Sequence, residues 1–196
     1  MKQEIEVKLR LAGGAAEARR QIESCGGRCT RERVFEENVL YDGGSMRLAR
    51  EGRLLRLRRL LPAGAGAPSA RLTLKEPPVH DQGRYKVRGE IETDVADPDA
   101  LEQILGRLAL EPVWRYQKYR TAFTAETPGG RAEVLLDETP IGNFIEIEGA
   151  PGAIDAFAQR LGYSTSDYIT LSYRALQEQA WAGSGREPGD LVFETE

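Results

Sequence analysis

The chain has 196 residues, of which 40% are hydrophobic and 30% charged, a composition typical of a globular protein with unusually many charges. Its 27 basic and 31 acidic residues leave a formal net charge of only −4, so the total predicts neither a basic nucleic-acid-binding surface nor an acidic tail. We find no signal-peptide pattern and no stretch of transmembrane length, and we expect a cytoplasmic protein without a membrane or nucleic-acid partner.

The first half of the chain is predicted to consist mainly of strands. The opening segment KQEIEVKLR alternates Glu4, Glu6 and Lys8 with apolar residues, as a half-buried strand does. Residues 14–25, GAAEARRQIESC, have the apolar spacing of a helix that stops at the two glycines that follow. Alternating strands come next in LLRLRR, ARLTLKEP and YKVRGEIET, and the small-residue segment PAGAGAPSA at residues 62–70 predicts a hairpin loop.

The second half alternates helices with further strands. DPDALEQILGRLAL has Asp97 in the N-cap position, Pro98 at the first helical position and an apolar stripe. Strand patterns recur in YQKYRTAF, AEVLLDE and NFIEIEG, and helices are predicted in PGAIDAFAQRLG and TLSYRALQEQAW. We expect one domain over residues 1–182 and a mobile tail over residues 183–196, in which Leu191, Val192 and Phe193 could dock.

The polar faces of these strands carry almost only ions, which is unusual for a face that contacts water. Together they hold eight carboxylates and nine cationic groups, namely Glu4, Glu6, Glu90, Glu92, Glu133, Asp137, Glu146 and Glu148 with Lys8, Arg56, Arg58, Arg71, Lys75, Lys86, Arg88, Lys118 and Arg120. Every predicted helix is amphipathic and needs an apolar surface to cover. The consistent arrangement places helices on the apolar face and turns the charged face inward, in a closed or nearly closed antiparallel barrel. A salt-bridged surface sheet is the alternative.

A charged interior is costly unless its ions are paired, hydrated or bound to a ligand. Carboxylates hold hard divalent cations, and Lys and Arg hold phosphate oxygens. The combination therefore favours a polyphosphate ligand together with a metal ion.

Cysteine and histidine contribute little to this chemistry. Cys25 and Cys29 have the spacing of a metal clip, but His80 is the only histidine, and these three residues cannot fill a tetrahedral zinc site. We interpret the cysteines as structural or free thiols, with a redox role as the alternative. His80 lies in the loop-like segment EPPVHDQGR, and we do not expect it to be catalytic.

The opening EIEVK resembles the ExExK motif of the CYTH superfamily, also called triphosphate tunnel metalloenzymes. It is followed in order by LRLR, LTLKE, RGEIE, QKYR, LLDE and FIEIE, each similar to a strand motif of that family, and SYRAL is similar to its C-terminal helix. The resemblance covers roughly residues 2 to 180. It implies an α+β fold, with an eight-stranded antiparallel β-barrel, the triphosphate tunnel, that has a charged interior and helices packed outside.

The resemblance also implies roles for individual residues. Glu4, Glu6 and Glu148 would hold Mg²⁺ or Mn²⁺. Asp137 and Glu146 would lie near a second metal or the attacking water, with Glu90 and Glu92 in support. The triphosphate would be bound by Lys8, Arg56, Arg58, Lys75, Arg88, Lys118 and Arg120, of which Arg58 and Arg120 would also stabilise the transition state. Arg174 is a further basic candidate, and Tyr173 would pack against or cap the tunnel.

Three functions are compatible with such a tunnel. The first is a metal-dependent hydrolase of inorganic or organic triphosphates, the second a class IV adenylyl cyclase that makes cyclic AMP and pyrophosphate, and the third a non-catalytic polyphosphate or nucleotide binder. The aromatic residue or histidine that often precedes ExExK in those cyclases is missing here, which favours the hydrolase. The expected partner is a small-molecule triphosphate, with a homodimer as the expected assembly.

Overall fold

Eight antiparallel strands form the body of the protein, and helices connect and cover them. The computed structural model describes residues 1–62, 66–79, 83–183 and 189–194; His80 and residues 63–65 of the predicted hairpin loop lie outside this part. The strands are β1 (Lys2–Arg10), β2 (Arg28–Gly43), β3 (Leu54–Pro62), β4 (Ser69–Lys75), β5 (Lys86–Val95), β6 (Leu110–Thr127), β7 (Gly130–Thr139) and β8 (Gly142–Gly149). The helices are α1 (Ala15–Ser24), α2 (Arg47–Arg50), α3 (Pro98–Arg107), α4 (Pro151–Arg160) and α5 (Tyr173–Trp181), with a 3₁₀ turn at Thr165–Asp167.

The sheet closes on itself, which confirms the predicted barrel. The strand order is β1-β5-β4-β3-β2-β6-β7-β8, with β8 paired to β1 again. Closure removes the exposed sheet edges that an open sheet would leave. It also gives every strand one face toward the interior, so the two-residue period of the sequence separates interior from exterior side chains.

Apolar side chains on the outer face pack under the helices. One core joins α1 and α4 to the outer faces of β1, β6, β7 and β8, with Ile22, Phe123, Ile147 and Phe157 among its fully buried members. A second core joins Leu101 and Leu105 of α3 to Leu57 and its neighbours on β2, β3 and β4. As predicted, α3 is capped by Asp97, whose Oδ1 accepts a hydrogen bond from the backbone N of Ala100 at 2.9 Å.

A third core lies inside the barrel, beside the charged side chains. It contains Trp114 and Tyr116 of β6 and Phe144 of β8, which lie at inward-facing positions of their strands. These rings pack against Tyr173 and other side chains from α5. This aromatic core takes up one part of the barrel interior and leaves the rest to the charged residues.

The described part of the C-terminal tail extends the sheet locally. Strand β7 pairs with β6 only from Tyr119 onward, so the preceding part of β6 lacks a β7 neighbour. There the backbone N of Leu191 donates to the carbonyl of Arg115 at 2.9 Å, and the N of Gln117 donates to the carbonyl of Leu191 at 2.8 Å. Leu191 is fully buried in the third core, so this residue docks against the barrel. In the described residues, no helix is long and apolar enough to cross a membrane.

Candidate active site

The charged interior faces enclose a cavity of about 570 Å³. Its lining includes all the sequence-predicted site residues except Asp137, namely Glu4, Glu6, Lys8, Arg56, Arg58, Lys75, Arg88, Glu90, Glu92, Lys118, Arg120, Glu146 and Glu148. Asp137 lies behind that lining, fully buried. The strands bring these side chains together because each contributes them at every second position.

Three carboxylates converge on one side of the cavity. Glu4 and Glu6 share the inner face of β1, and Glu148 on β8 lies directly opposite Glu6 in the register. Oxygen atoms of Glu4, Glu6 and Glu148 all lie within 4.8 Å of one another. Several carboxylate oxygens at this spacing are what a hard divalent cation requires.

Lysines neutralise this acidic cluster only in part. Lys8 Nζ lies 3.0 Å and Lys86 Nζ 2.5 Å from Glu6 Oε1, while Lys75 Nζ lies 2.8 Å from Glu4 Oε2. Burial alone would raise the pKa of Glu6, but Lys8 and Lys86 hold it far below its usual range. No lysine or arginine forms an ion pair with Glu148 in the described part of the chain.

Glu148 is consequently the carboxylate of the cluster on which charge repulsion acts most strongly. Burial, followed by the charges of Glu4, Glu6 and Glu146, raises the pKa of Glu148 to about 8. Glu90 behaves similarly, since burial and its hydrogen bond with Glu4 raise its pKa to about 7. A divalent cation bound between Glu4, Glu6 and Glu148 would relieve this repulsion, so the residues present fit a metal ion.

We expect Glu148→Gln to stabilise the metal-free protein in a pH-dependent way. The folded state keeps the Glu148 proton up to about pH 8, whereas an ordinary glutamate loses it near 4.5, so wild-type stability falls as the pH rises between these values. Glutamine cannot lose that proton. The variant should therefore unfold at nearly the wild-type temperature at low pH and gain more than about 1 kcal/mol, or about 2–4 °C, at about pH 8.

Thermal unfolding in the presence of a chelator, at several pH values, measures this gain. The matched control is Glu126→Gln, which changes an exposed glutamate on β6 and should leave the melting curve unchanged at every pH. A difference in melting temperature between Glu148→Gln and the wild type that does not change with pH would contradict the raised pKa of Glu148.

A cluster of basic side chains occupies the opposite side of the cavity. Arg58 Nε donates to Asn38 Oδ1 at 2.8 Å and lies 3.4 Å from Glu36 Oε2, while Lys118 Nζ lies 3.8 Å from the same Glu36 oxygen. Arg56 donates to the Tyr116 hydroxyl at 3.1 Å and to Thr73 Oγ1 at 3.3 Å. Arg56 and Arg58 thus line the cavity with Glu36 and Glu92 as their nearest carboxylates.

Asp137 holds several of these cations in place. Its carboxylate accepts from Lys118 Nζ at 2.8 Å and from Arg120 Nε and Nη2 at 2.6 Å each. The Tyr173 hydroxyl of α5 also donates to it at 2.6 Å. Burial, followed by the charge of Asp137, raises the pKa of Tyr173, so the phenol stays protonated. Tyr173 therefore packs in the barrel and also fixes the orientation of Asp137.

Glu146 is likewise enclosed by cations. Lys8 Nζ lies 3.1 Å from its Oε1, and Arg120 donates to its Oε2. Although burial alone would raise the pKa of Glu146, the charges of Lys8 and Arg120 hold it well below the usual range. The described contacts of Asp137 and Glu146 are therefore with donors, and the three-carboxylate cluster contains neither residue.

The remaining predicted residues also line the cavity. Lys75 is paired with both Glu4 and Glu90. Glu92 accepts from Thr73 Oγ1 at 2.9 Å, and Arg88 Nη2 donates to the carbonyl of Gly52 at 2.5 Å. Arg174 also lines the cavity, where its Nε lies 3.4 Å from Glu178 on α5.

Three residues that contact the arginines of this cluster, Glu36, Asn38 and Tyr116, were not identified from the sequence. Glu36 and Asn38 belong to β2, a strand that was not predicted because bulges near Arg31 and Leu40 break its alternation. Burial alone would raise the pKa of Glu36, but Arg58 and other cations lower it to about 2. Tyr116 was missed because an aromatic residue of β6 looks like an exterior, helix-facing side chain. The position of Tyr116, two before Lys118, was the available signal.

The comparisons with known proteins agree with this architecture. The family model described as CYTH domain matches residues 2–173. No curated protein matches the chain significantly. A candidate adenylate cyclase from Vibrio parahaemolyticus has a similar structure, with a TM-score of 0.72 and 21% identity over 90% of this chain and 98% of that one. The structure of PH1819 from Pyrococcus horikoshii OT3 is also similar, with a TM-score of 0.69 and 23% identity over 90% of this chain and 98% of that one.

A third similar structure adds a description of activity for that protein. HpAC1 from Hippeastrum, described as a candidate adenylyl cyclase with a dominant triphosphatase activity, has a TM-score of 0.61 and 21% identity over 90% of this chain and 95% of that one. These identities show a shared fold. Because the family model covers most of the sequence, the chain belongs to the CYTH domain family.

Proposed function

We propose that the protein is a divalent-metal-dependent hydrolase of inorganic or organic triphosphates. The observation that carries this proposal is that one cavity is lined both by a three-carboxylate cluster and by a group of arginines and lysines. A metal-bound polyphosphate needs both, since the cation binds carboxylate oxygens and the basic groups bind phosphate oxygens. The triphosphatase activity described for HpAC1 supports the same reaction class.

The metal would be Mg²⁺ or Mn²⁺, held by Glu4, Glu6 and Glu148. When bound, such an ion polarises phosphoryl oxygens and offsets their negative charge. Lys8 and Lys86 both contact Glu6 Oε1 and keep the carboxylate ionised, which leaves its other oxygen available as a ligand. Glu4 is oriented in the same way by Lys75.

The basic side chains would bind and orient the phosphate chain. Two of them have a donor to spare, because the buried Nε atoms of Arg56 and Arg88 lack a hydrogen-bond partner within the described structure. A buried donor without an acceptor is costly, and a phosphate oxygen would satisfy it. Arg58 and Arg120 would stabilise the charge that develops during phosphoryl transfer, a reaction that depends chiefly on positioning and electrostatics.

We assign Asp137 and Glu146 a positioning role. Their oxygens already accept hydrogen bonds from Lys8, Lys118 and Arg120, so each carboxylate fixes the direction of these donors toward the cavity. This assignment changes the role expected from the family resemblance, in which the two residues would lie near a second metal or the attacking water.

Product analysis tests the proposal directly. The protein is incubated with ATP, tripolyphosphate and thiamine triphosphate, each with Mg²⁺ and with Mn²⁺, and the products are separated by chromatography. We expect orthophosphate from at least one substrate and no turnover with a chelator. Cyclic AMP and pyrophosphate from ATP would show a cyclase that uses the same cavity, and tight binding without turnover would show a binding protein; either result would overturn the hydrolase proposal. The cytoplasmic location, the homodimer and the domain boundary at residue 182 stay predictions.

A further inference from the structure

Tyr116 differs from the other hydrogen-bonded phenols of the structure. Four other tyrosines donate their hydroxyl proton to a carboxylate, namely Tyr41 to Glu102, Tyr85 and Tyr168 to Asp155, and Tyr173 to Asp137. The Tyr116 oxygen instead accepts from Arg56 Nη1 at 3.1 Å. In the residues that the structure describes, no oxygen accepts a hydrogen bond from Tyr116, so its proton remains to be donated.

The position of this hydroxyl is well defined. The Tyr116 ring stacks on Trp114 with 4.9 Å between ring centroids and lies 6.2 Å from the ring of Tyr173. The residue is only 7% exposed, and it contributes to the lining of the cavity. Packing on both rings holds the hydroxyl toward Arg56, which also has an unpartnered Nε.

We propose that Tyr116 donates a hydrogen bond to a phosphoryl oxygen that Arg56 also contacts. This inference rests on the proposed function and adds a neutral donor to the basic side of the cavity. The Tyr116 oxygen accepts from Arg56 while its proton is free, so the two side chains would present donors side by side to one phosphate group. Tyr116 would then contact substrate directly.

The surroundings of Tyr116 make this contact pH-dependent. Burial alone would raise its pKa, but the charges of Arg56, Arg58 and Lys118 lower it to about 7. The other titratable groups near this cluster are Glu36, which Arg58 and Lys118 also face, the protonated Tyr173, and two carboxylates near Arg56, namely Glu92 at 4.0 Å and Glu90. Above its pKa the phenolate cannot donate and repels phosphate, so the contact favours binding at low pH and opposes it at high pH.

The wild-type protein itself provides the first test. Ultraviolet titration of tyrosinate absorbance, without metal, should show one phenol ionising near pH 7, well below the usual value of about 10. Saturating tripolyphosphate should shift that ionisation to higher pH, because bound phosphate stabilises the protonated phenol. This measurement needs no variant and does not depend on turnover.

The second test compares variants by calorimetric titration with tripolyphosphate from about pH 6 to about pH 9. Tyr116→Phe keeps the stacked ring and removes the hydroxyl, and Tyr85→Phe is the control because its hydroxyl bonds to Asp155 away from the cavity. At low pH, Tyr116→Phe should bind about threefold to tenfold more weakly than the wild type. At high pH the difference should vanish or reverse. Taking the ratio of the two dissociation constants cancels the titration of tripolyphosphate itself.

The outcomes separate this inference from the proposed function. Equal dissociation constants for Tyr116→Phe and the wild type at about pH 6 would overturn the role of Tyr116 alone. A weaker Tyr116→Phe whose ratio to the wild type stays constant with pH, or a wild-type protein without a phenol that ionises near pH 7, would support the hydrogen bond and overturn its pH dependence. If neither the wild type nor Tyr85→Phe binds tripolyphosphate at any pH, the proposed function fails and this inference fails with it.

Discussion

Replacement of Glu4 by glutamine is expected to lower tripolyphosphate hydrolysis by about 100- to 1,000-fold. Glutamine keeps the shape of the side chain but removes a negative ligand from the cluster with Glu6 and Glu148. Removing that charge weakens the attraction for a divalent cation, and it leaves Lys75 paired with Glu90 alone among the described residues. We expect Mn²⁺ affinity to fall at least about tenfold.

Calorimetric titration with Mn²⁺ and an orthophosphate assay measure these two effects in the same preparation. Glu126→Gln, which removes an equal charge from an exposed position on β6, should bind Mn²⁺ and hydrolyse tripolyphosphate as the wild type does. The melting temperature of each variant shows whether the fold is intact. If folded Glu4→Gln retained wild-type Mn²⁺ affinity, the metal would have to lie elsewhere in the cavity.

Much of the site could be predicted because a strand period of two residues is a strict rule. If one of Glu4, Glu6 and Lys8 on β1 faces inward, the other two must do so as well. The same holds for Arg56 and Arg58 on β3 and for Glu146 and Glu148 on β8. Sequence alone could therefore assign these side chains to one surface, and barrel closure made that surface a cavity.

The pairing of these charges could not be predicted from the strands separately. Asp137 lies on the same face of β7 as residues that line the cavity. Its carboxylate nevertheless accepts hydrogen bonds from Lys118 and Arg120 of β6 and from Tyr173 of α5, which are distant in sequence. Whether a carboxylate binds a metal or a guanidinium depends on which strand lies beside it. That neighbour is set by the register between strands, which the alternation of one segment does not contain.

Strand β2 shows a second limit of prediction from sequence alternation. Its register shifts against β6 at three places, and each shift changes which residues face inward. Two adjacent glutamates, Glu36 and Glu37, then give no indication of which one is interior. Glu36 is the fully buried one, and it lies opposite Lys118 in the register.

Arg120→Ala is expected to reduce the free energy of unfolding by about 3–5 kcal/mol, in addition to any effect on activity. Arg120 is buried and pairs with both Asp137 and Glu146. Removing it leaves Asp137 with Lys118 and Tyr173, and Glu146 with Lys8, so two buried carboxylates lose a strong partner. For a chain of this length the melting temperature should fall by about 6–20 °C.

Denaturant unfolding of a double-mutant cycle separates the pair from its surroundings. Asp137→Asn in the Arg120→Ala background removes one of the carboxylates that the alanine variant leaves poorly paired. The double variant should therefore lose clearly less stability than the sum of the single variants. Arg47→Ala serves as the control, since Arg47 is exposed and its pair with Glu51 on the surface should contribute less than about 1 kcal/mol.

The cycle also decides how an activity loss at Arg120 should be interpreted. A loss of activity in a variant that has lost several kcal/mol of stability does not show that the guanidinium contacts substrate. Arg120 bridges Glu146 and Asp137, the carboxylates that hold Lys8 and Lys118, so its removal also disturbs these two lysines. Arg58 is less tightly engaged, since its Nε bonds to the neutral Asn38 and its ion pair with Glu36 is longer. Stability of Arg120→Ala within about 1 kcal/mol of the wild type would show that the buried network is not structural, and its activity loss could then be assigned to triphosphate binding.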